Sequence, residues 1–290
     1  MKTPTVNAAA PFTRRFAGWP HAVGIYLLCA GGACFMLLPF AWLARSSLMG
    51  INQIFRFPPE WIPDPVQWQN FPDALTTVPF LLYLKNTLFI LLPSVAGTVA
   101  TSALAAFGFS RLRWRGRDLT FNVLLATLML PYAITLIPTF LLWARLGLTN
   151  TAWPLVLPRW FGGGAFYIFL LRQFFRTIPR EQDEAATLDG ANPLEILWHV
   201  IVPQSKPALV AVAIFSALNA WNDFLGPLIY LNDSSKFTLA LGLAEFTGLY
   251  SSQWHLLMAA TILVVLPVVA LFFMTQRYLI QGLTLTGKQR

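Results

Sequence analysis

NTLFILLPSVAGTVATSALAAFGFS (Asn86–Ser110), RLRWRGRD (Arg111–Asp118) and LTFNVLLATLMLPYAITLIPTFLLWA (Leu119–Ala144) follow one another without a gap. The two outer runs carry no charged residue, and the link between them carries four arginines in seven residues. A helix needs about 20 mainly apolar residues to cross the hydrocarbon core of a bilayer, and both runs exceed that. The stretch therefore predicts two membrane spans joined by a short, strongly basic loop.

The rest of the chain extends this pattern. His21–Ala44 and Leu256–Gln276 are equally free of charge. Pro158–Phe175 reads as a further span, with Arg172 and Arg176 near its end, where long side chains can reach the headgroups. Pro207–Leu231 is apolar apart from Asp223. The expected fold is an all-α membrane protein of six transmembrane helices, about 21–44, 86–110, 119–144, 158–175, 207–231 and 256–276. Residues 19–290 form one transmembrane domain, preceded by a tail at 1–18. The first run is too long for a signal peptide, and no small-residue cleavage site follows it. Composition agrees: 56% of the 290 residues are hydrophobic and 11% charged, against roughly 45–50% and about 25% in a soluble domain.

The net charge is +8. In a soluble protein that would suggest nucleic acid, but here the basic residues are dispersed among uncharged runs. They sort by loop instead. With the N-terminus inside, Lys2, Arg14, Arg15, the four arginines of 111–117, Arg172, Arg176, Arg180, Lys206, Arg277, Lys288 and Arg290 are cytoplasmic. Arg45, Arg56, Lys85, Arg145, Arg159 and Lys236 are outside. Fourteen against six places both termini in the cytoplasm. The 111–117 arginines read as headgroup contacts that fix topology. Cys29 and Cys34 lie at membrane depth and read as small apolar fillers. His21, His199 and His255 are scattered, which argues against a histidine-based metal or catalytic centre.

Outside, Arg45–Leu84 holds FPPEWIPDP and WQNF. Prolines and aromatics suit a folded cap at the membrane surface. It is either an interfacial aromatic loop or a contact for an external partner.

One cytoplasmic loop differs from the others. Ile178–Leu209 holds five of the chain's 12 acidic residues: Glu181, Asp183, Glu184, Asp189 and Glu195. Pro179 and the first three acids suit a helix start, where carboxylates meet the positive end of the helix dipole. Gly190 can take positive φ and end that helix. Asn192 can cap a second, with Pro193 at its first position and Glu195 completing the box. Leu194, Leu197 and Trp198 then form an apolar face at helical spacing, and Pro203 ends the helix. A short amphipathic helical hairpin is predicted. Its acids suit a groove on another protein better than an anionic inner leaflet.

The same residues carry a resemblance. Glu184-Ala185-Ala186, three residues, Gly190, nine residues and Val200-Ile201-Val202-Pro203 resemble the EAA loop of ABC importer permeases, with valines replacing its isoleucine and leucine. EAATLDGANP, WNDFLGPLIYL (Trp221–Leu231), LLMAA (Leu256–Ala260) and RYLIQGL (Arg277–Leu283) are similar to the carbohydrate, maltose-type (MalG-like) branch. The resemblance implies a binding-protein-dependent inner membrane component without a catalytic site. Glu181, Glu184, Ala185, Ala186, Asp189, Gly190 and Pro203 would form its coupling loop. It implies an ABC ATPase dimer holding ATP and Mg²⁺, a second (MalF-like) permease, an extracytoplasmic solute-binding protein, and the bacterial inner membrane as location. It further implies a C-terminal tail that reaches toward the ATPase interface. The chain itself has no GxxxxGK[ST] phosphate cradle.

Asp223 is the one acid deep in a predicted span, and with Asn219, Trp221 and Asn222 it suits hydroxyl-rich ligands. The plainer reading is that Asp223 bonds neighbouring helices. Gly162–Gly164 suits a tight helix start or close packing. Pro93, Pro131, Pro138 and Pro267 would kink spans or be tolerated in them. A secondary transporter would need several deep ionisable residues, and a membrane enzyme would need clustered His, Asp or Glu. Amino-acid or peptide permeases are the nearer alternatives.

Overall fold

A computed structural model describes residues 19–248 and 252–287, with side chains between 22 and 276. The tail at 1–18, the side chains of Arg277–Leu283, and Lys288 and Arg290 lie outside the described residues. Among the described residues the main helices are α1 (Trp19–Ser47), α2 (Asn70–Thr77), α3 (Phe80–Ser110), α4 (Arg117–Ala126), α5 (Tyr132–Arg145), α6 (Trp153–Trp160), α7 (Ala165–Phe175), α8 (Glu181–Leu188), α9 (Pro193–Gln204), α10 (Lys206–Trp221), α11 (Leu225–Tyr230) and α12 (Trp254–Gly287). Shorter turns link them, and no strand occurs among the described residues.

Among the described residues four helical stretches are long and apolar enough to cross a membrane, six if two bent pairs each count as one. The expected spans are present but less regular. The third, 119–144, is not one helix: α4 and its 3₁₀ extension meet α5 at 98°. Proline disfavours helical geometry in the residue before it. Leu130, before Pro131, is accordingly extended at φ −76° and ψ 117°. The fourth begins earlier, at Trp153, and breaks at Gly162–Gly164. A Cβ on Gly163 would collide with Ser102 Oγ, so close packing on α3 accounts for that glycine. The fifth stops at Trp221 and resumes as α11. Pro93, Pro138 and Pro267 sit inside continuous helices.

α3 is the hub, packing on α6, α7 and α10. A stripe of small and hydroxyl residues makes this possible. Ser94, Gly97, Thr98, Ser102, Ala103 and Ala106 are all buried on it. Small side chains let helix backbones approach where no hydrophobic force separates helix from lipid. Two cores form at the ends of α3. One joins Ala106, Phe121, Leu171, Phe175, Leu197 and Val212. The other joins Ala74, Tyr83, Trp221, Phe246 and Ala260. α1 packs on α12 but leaves its apolar run uncovered, Cys29 and Cys34 included.

The segment after α1 folds into a cap at the second end. Asn70 Nδ2 donates to Ser47 O at 2.8 Å and Met49 O at 2.9 Å. Arg56 pairs with Glu60 at 2.6 Å, and Trp42 meets Trp61 edge to face. The stretch after α11 also folds there: Asn86 Nδ2 donates to Ser235 O and Phe237 O, and Tyr83 Oη to Glu245 at 2.6 Å.

Candidate functional site

The predicted hairpin is α8 and α9, at the end opposite the cap. Its local chemistry follows the sequence. Asn192 Oδ1 accepts from Leu194 N and Glu195 N at 3.0 Å each, and the Glu195 carboxylate accepts the Asn192 N–H at 2.8 Å. Gly190 takes φ +91°. No atom lies within 4 Å of where its Cβ would be, so conformation alone demands glycine. Glu181, Asp183 and Glu184 occupy the first turn of α8.

Tertiary packing decides which side chains remain available. Glu181, Glu184, Ala185 and Asp189 are exposed, Ala186 is half-buried against the core, and Leu188 is 89% exposed. Leu194 and Trp198 are also exposed, but Leu197 is 1% exposed and faces inward with Ile196 and Ile201. The expected Leu194–Leu197–Trp198 face is thus split. Leu197 belongs to the core, and Leu188 takes its place on the outer surface. Pro203 does not end α9, which runs on to Gln204 through a π turn at Ile196–Ile201. Proline has no N–H for the regular ladder, and the widened turn accommodates it. α9 then meets α10 at 83°, so the hairpin stands across the end of the bundle.

Arg111 braces it, a role the sequence reading missed. Its side chain is 4% exposed, and its Nη1 lies 3.1 Å from Asp183 Oδ2. Its Nη2 donates to Phe175 O, the last carbonyl of α7, and to Ile178 O in the turn that follows. Burial holds the Asp183 carboxyl above the usual carboxylate range and the Arg111 guanidinium below its usual range, each only partly offset by the other's charge. Desolvation outweighs attraction, as in many buried pairs. The pair therefore fixes position more than it stabilises. Arg172 does not reach outward either. It is 9% exposed and stacks on Phe121 at 3.9 Å. The signal for both was their position at a helix end, facing carbonyls that lack helical donors.

The 219–223 cluster disperses. Trp221 is 8% exposed, and its Nε1 donates to Val264 O at 3.2 Å on α12, so its ring has no free face for a sugar. Asn222 bonds back to Leu218 O. Asp223 Oδ1 accepts the Gly226 N–H at 2.9 Å at the start of α11. Asn219 stays exposed and accepts from Arg159 Nη2 at 2.8 Å. Arg159, counted outside from sequence, sits within the span Trp153–Phe175. A lone arginine just before a triple glycine in an apolar run was the signal available. Arg159 and Asp223 line a polar space with Thr87, Ser94 and Thr238 of about 10 Å³, enough for one water and not for a sugar.

Among the described residues no group of three or more His, Cys, Asp or Glu could hold a metal ion. The arrangement is an exposed hairpin seated on a helix core. Residues 97–285 match the family described as binding-protein-dependent transport system inner membrane component. The chain is 30% identical to the diacetylchitobiose uptake system permease protein NgcG of Streptomyces coelicolor, over 93% of this chain and 88% of that one. It is 32% identical to the sn-glycerol-3-phosphate transport system permease protein UgpE of Yersinia pestis, over 87% of this chain and 92% of that one. A chain of a bacterial ABC transporter that imports alginate superposes with a TM-score of 0.79 at 24% identity, covering 93% of this chain and 99% of its own. The chain belongs to the family of binding-protein-dependent transport system inner membrane components, as an ABC importer permease.

Proposed function

We propose that this chain forms half of the translocation pathway of an importer for a sugar or sugar-like solute, and that ATP-driven motion enters it through the α8–α9 hairpin. The observation that carries the reading is the hairpin's two-sidedness. Glu181, Glu184, Ala185, Leu188 and Trp198 face away from the chain, while Ile196, Leu197 and Ile201 anchor the same hairpin in the core of α3, α7 and α10. A close-packed core transmits displacement, so a force on the outer face would rotate the spans as a body. Small, exposed Ala185 would permit close approach by an ATPase subunit, which would hold ATP and Mg²⁺ on its own residues, while small Ala186 seats the same helix on the core.

The hairpin and the 111–117 loop share one end of the molecule through Arg111 and Asp183. The charge bias supports the cytoplasm for that end and both termini. The 45–84 cap and the 231–254 segment would then face outward, available to a solute-binding protein. The uncovered runs of α1 and α5 suit lipid and a second, related permease. The relatives named for diacetylchitobiose and glycerol 3-phosphate support a carbohydrate-type cargo.

The test is uptake in cells carrying Gly190→Pro or Glu184→Lys. Uptake should be abolished while the protein stays in the membrane. Normal uptake with an unaltered amount of co-purified ATPase would contradict the reading.

A further inference from the structure

The arginines counted as cytoplasmic from the sequence do more than set topology. Arg117, Arg172, Arg176 and Arg180 converge on a cavity of about 310 Å³ where the ends of α3 and α7 meet the start of α4. Phe121 forms one wall and Asp118 is the one acid among the lining residues. Arg172 is 9% exposed, with Nε donating to Phe109 O at 3.2 Å. Its Nη2 lies 3.8 Å from Asp118 Oδ1, beyond hydrogen-bond length. Asp118 is already engaged by Arg117, at 3.0 Å from Nε and 3.4 Å from Nη2. Arg180 reaches Ser110 O at 3.5 Å. The Arg176 side chain makes no hydrogen bond or ion pair among the described residues.

Four guanidinium groups thus line a cavity whose one lining carboxylate is already taken by Arg117. Arg172 is the buried cation of the four and needs an anionic partner, because burial removes part of its hydration, while Arg176 and Arg180 reach the cavity from its exposed side. One carboxylate has too few oxygens for four forked donors. A phosphate-type group presents three or four acceptor oxygens and matches the guanidinium fork in pairs. The cavity is large enough for such a group and lies where apolar spans end.

We propose that this cavity binds a phosphate-type anion, supplied either by a phospholipid headgroup or as free phosphate. Arg180 immediately precedes α8, so a bound anion would tie the start of the hairpin to α4 and α7. The proposal rests on the cavity alone and stands whether or not an ATPase docks on the hairpin.

The full-length chain, purified and stripped of lipid in detergent, is first melted in inorganic phosphate and in chloride at equal ionic strength. It is then placed in nanodiscs of phosphatidylcholine with phosphatidylglycerol, and retained lipid is read by native mass spectrometry. Arg176→Gln is the informative variant, since that exposed side chain supports no contact of the fold. Arg115→Gln removes the same charge from the neighbouring loop without lining the cavity. The unaltered chain should prefer one phosphate probe. Arg176→Gln should weaken that preference about tenfold, the loss expected for one charge-assisted contact, and Arg115→Gln should leave it within about twofold. Protection by inorganic phosphate without lipid preference identifies a free anion, and preference for phosphatidylglycerol alone identifies a headgroup. The proposal is overturned if neither probe is preferred, or if both variants weaken binding equally, which would leave only diffuse surface charge.

Discussion

The α8–α9 hairpin and the 219–223 cluster read from sequence as two comparable functional motifs, each a few polar residues beside an apolar run. The fold treats them oppositely. It keeps Glu181, Glu184, Ala185 and Leu188 together on one outer surface. It sends Trp221 into a core, Asp223 to the start of α11 and Asn219 to Arg159. The difference lies in what each signal depends on. The hairpin is specified by caps, a positive-φ glycine and a proline at the first position, all of which act within four residues. The cluster depends on where each side chain points after the helices pack, and sequence spacing does not contain that.

The comparison can be broken most forcefully at the brace. Arg111→Ala leaves Asp183 without its buried partner and should cost about 3–5 kcal/mol, read as a lower unfolding temperature in detergent and loss of uptake. In the cluster, Trp221→Ala should cost roughly 3 kcal/mol through the cavity it leaves. Half-saturation for solute should stay unchanged in the protein that survives; a raised value with normal stability would restore Trp221 to the solute path. Gly190→Ala should cost about 1–2 kcal/mol, from the left-handed conformation alone, seen as faster amide exchange at 189–192. Asn192→Ala removes a cap worth about 1 kcal/mol and should have a smaller effect on the same amides. Asp183→Asn should be milder than Arg111→Ala, since Arg111 keeps two carbonyls. It should also flatten a pH dependence. Because burial raises the folded pKa of Asp183, its charge opposes folding. That cost is absent below the unfolded value of 3.8 and develops as pH rises through the folded value. Unfolding scans across that window would show it.

The apolar helical stretches and the hairpin's backbone were legible because hydropathy and capping are local. Leu197 was not, because Leu194, Leu197 and Trp198 share an apolar identity and only α9's seating on α7 and α10 separates them. The 119–144 break was half legible: Pro131 was visible, but a proline inside a span can be kinked or tolerated, as Pro138 and Pro267 show. The arginines were the hardest to read. Arg111, Arg159 and Arg172 sit in three different environments, a carbonyl brace, a polar helix contact and an aromatic stack. Loop counting gives each of them only a side of the membrane, Arg111 and Arg172 inside and Arg159 outside, because their partners come from distant helices.

The most direct test of the account is cross-linking from the hairpin in a chain whose Cys29 and Cys34 are replaced by serine. Leu188→Cys, on the most exposed apolar position of α8, should form a disulfide with a cysteine placed on the co-expressed ATPase subunit, with a yield that changes on adding ATP, while Asn222→Cys should form none. Full uptake with no cross-link from Leu188→Cys to any ATPase position would contradict the claim that motion enters through this hairpin.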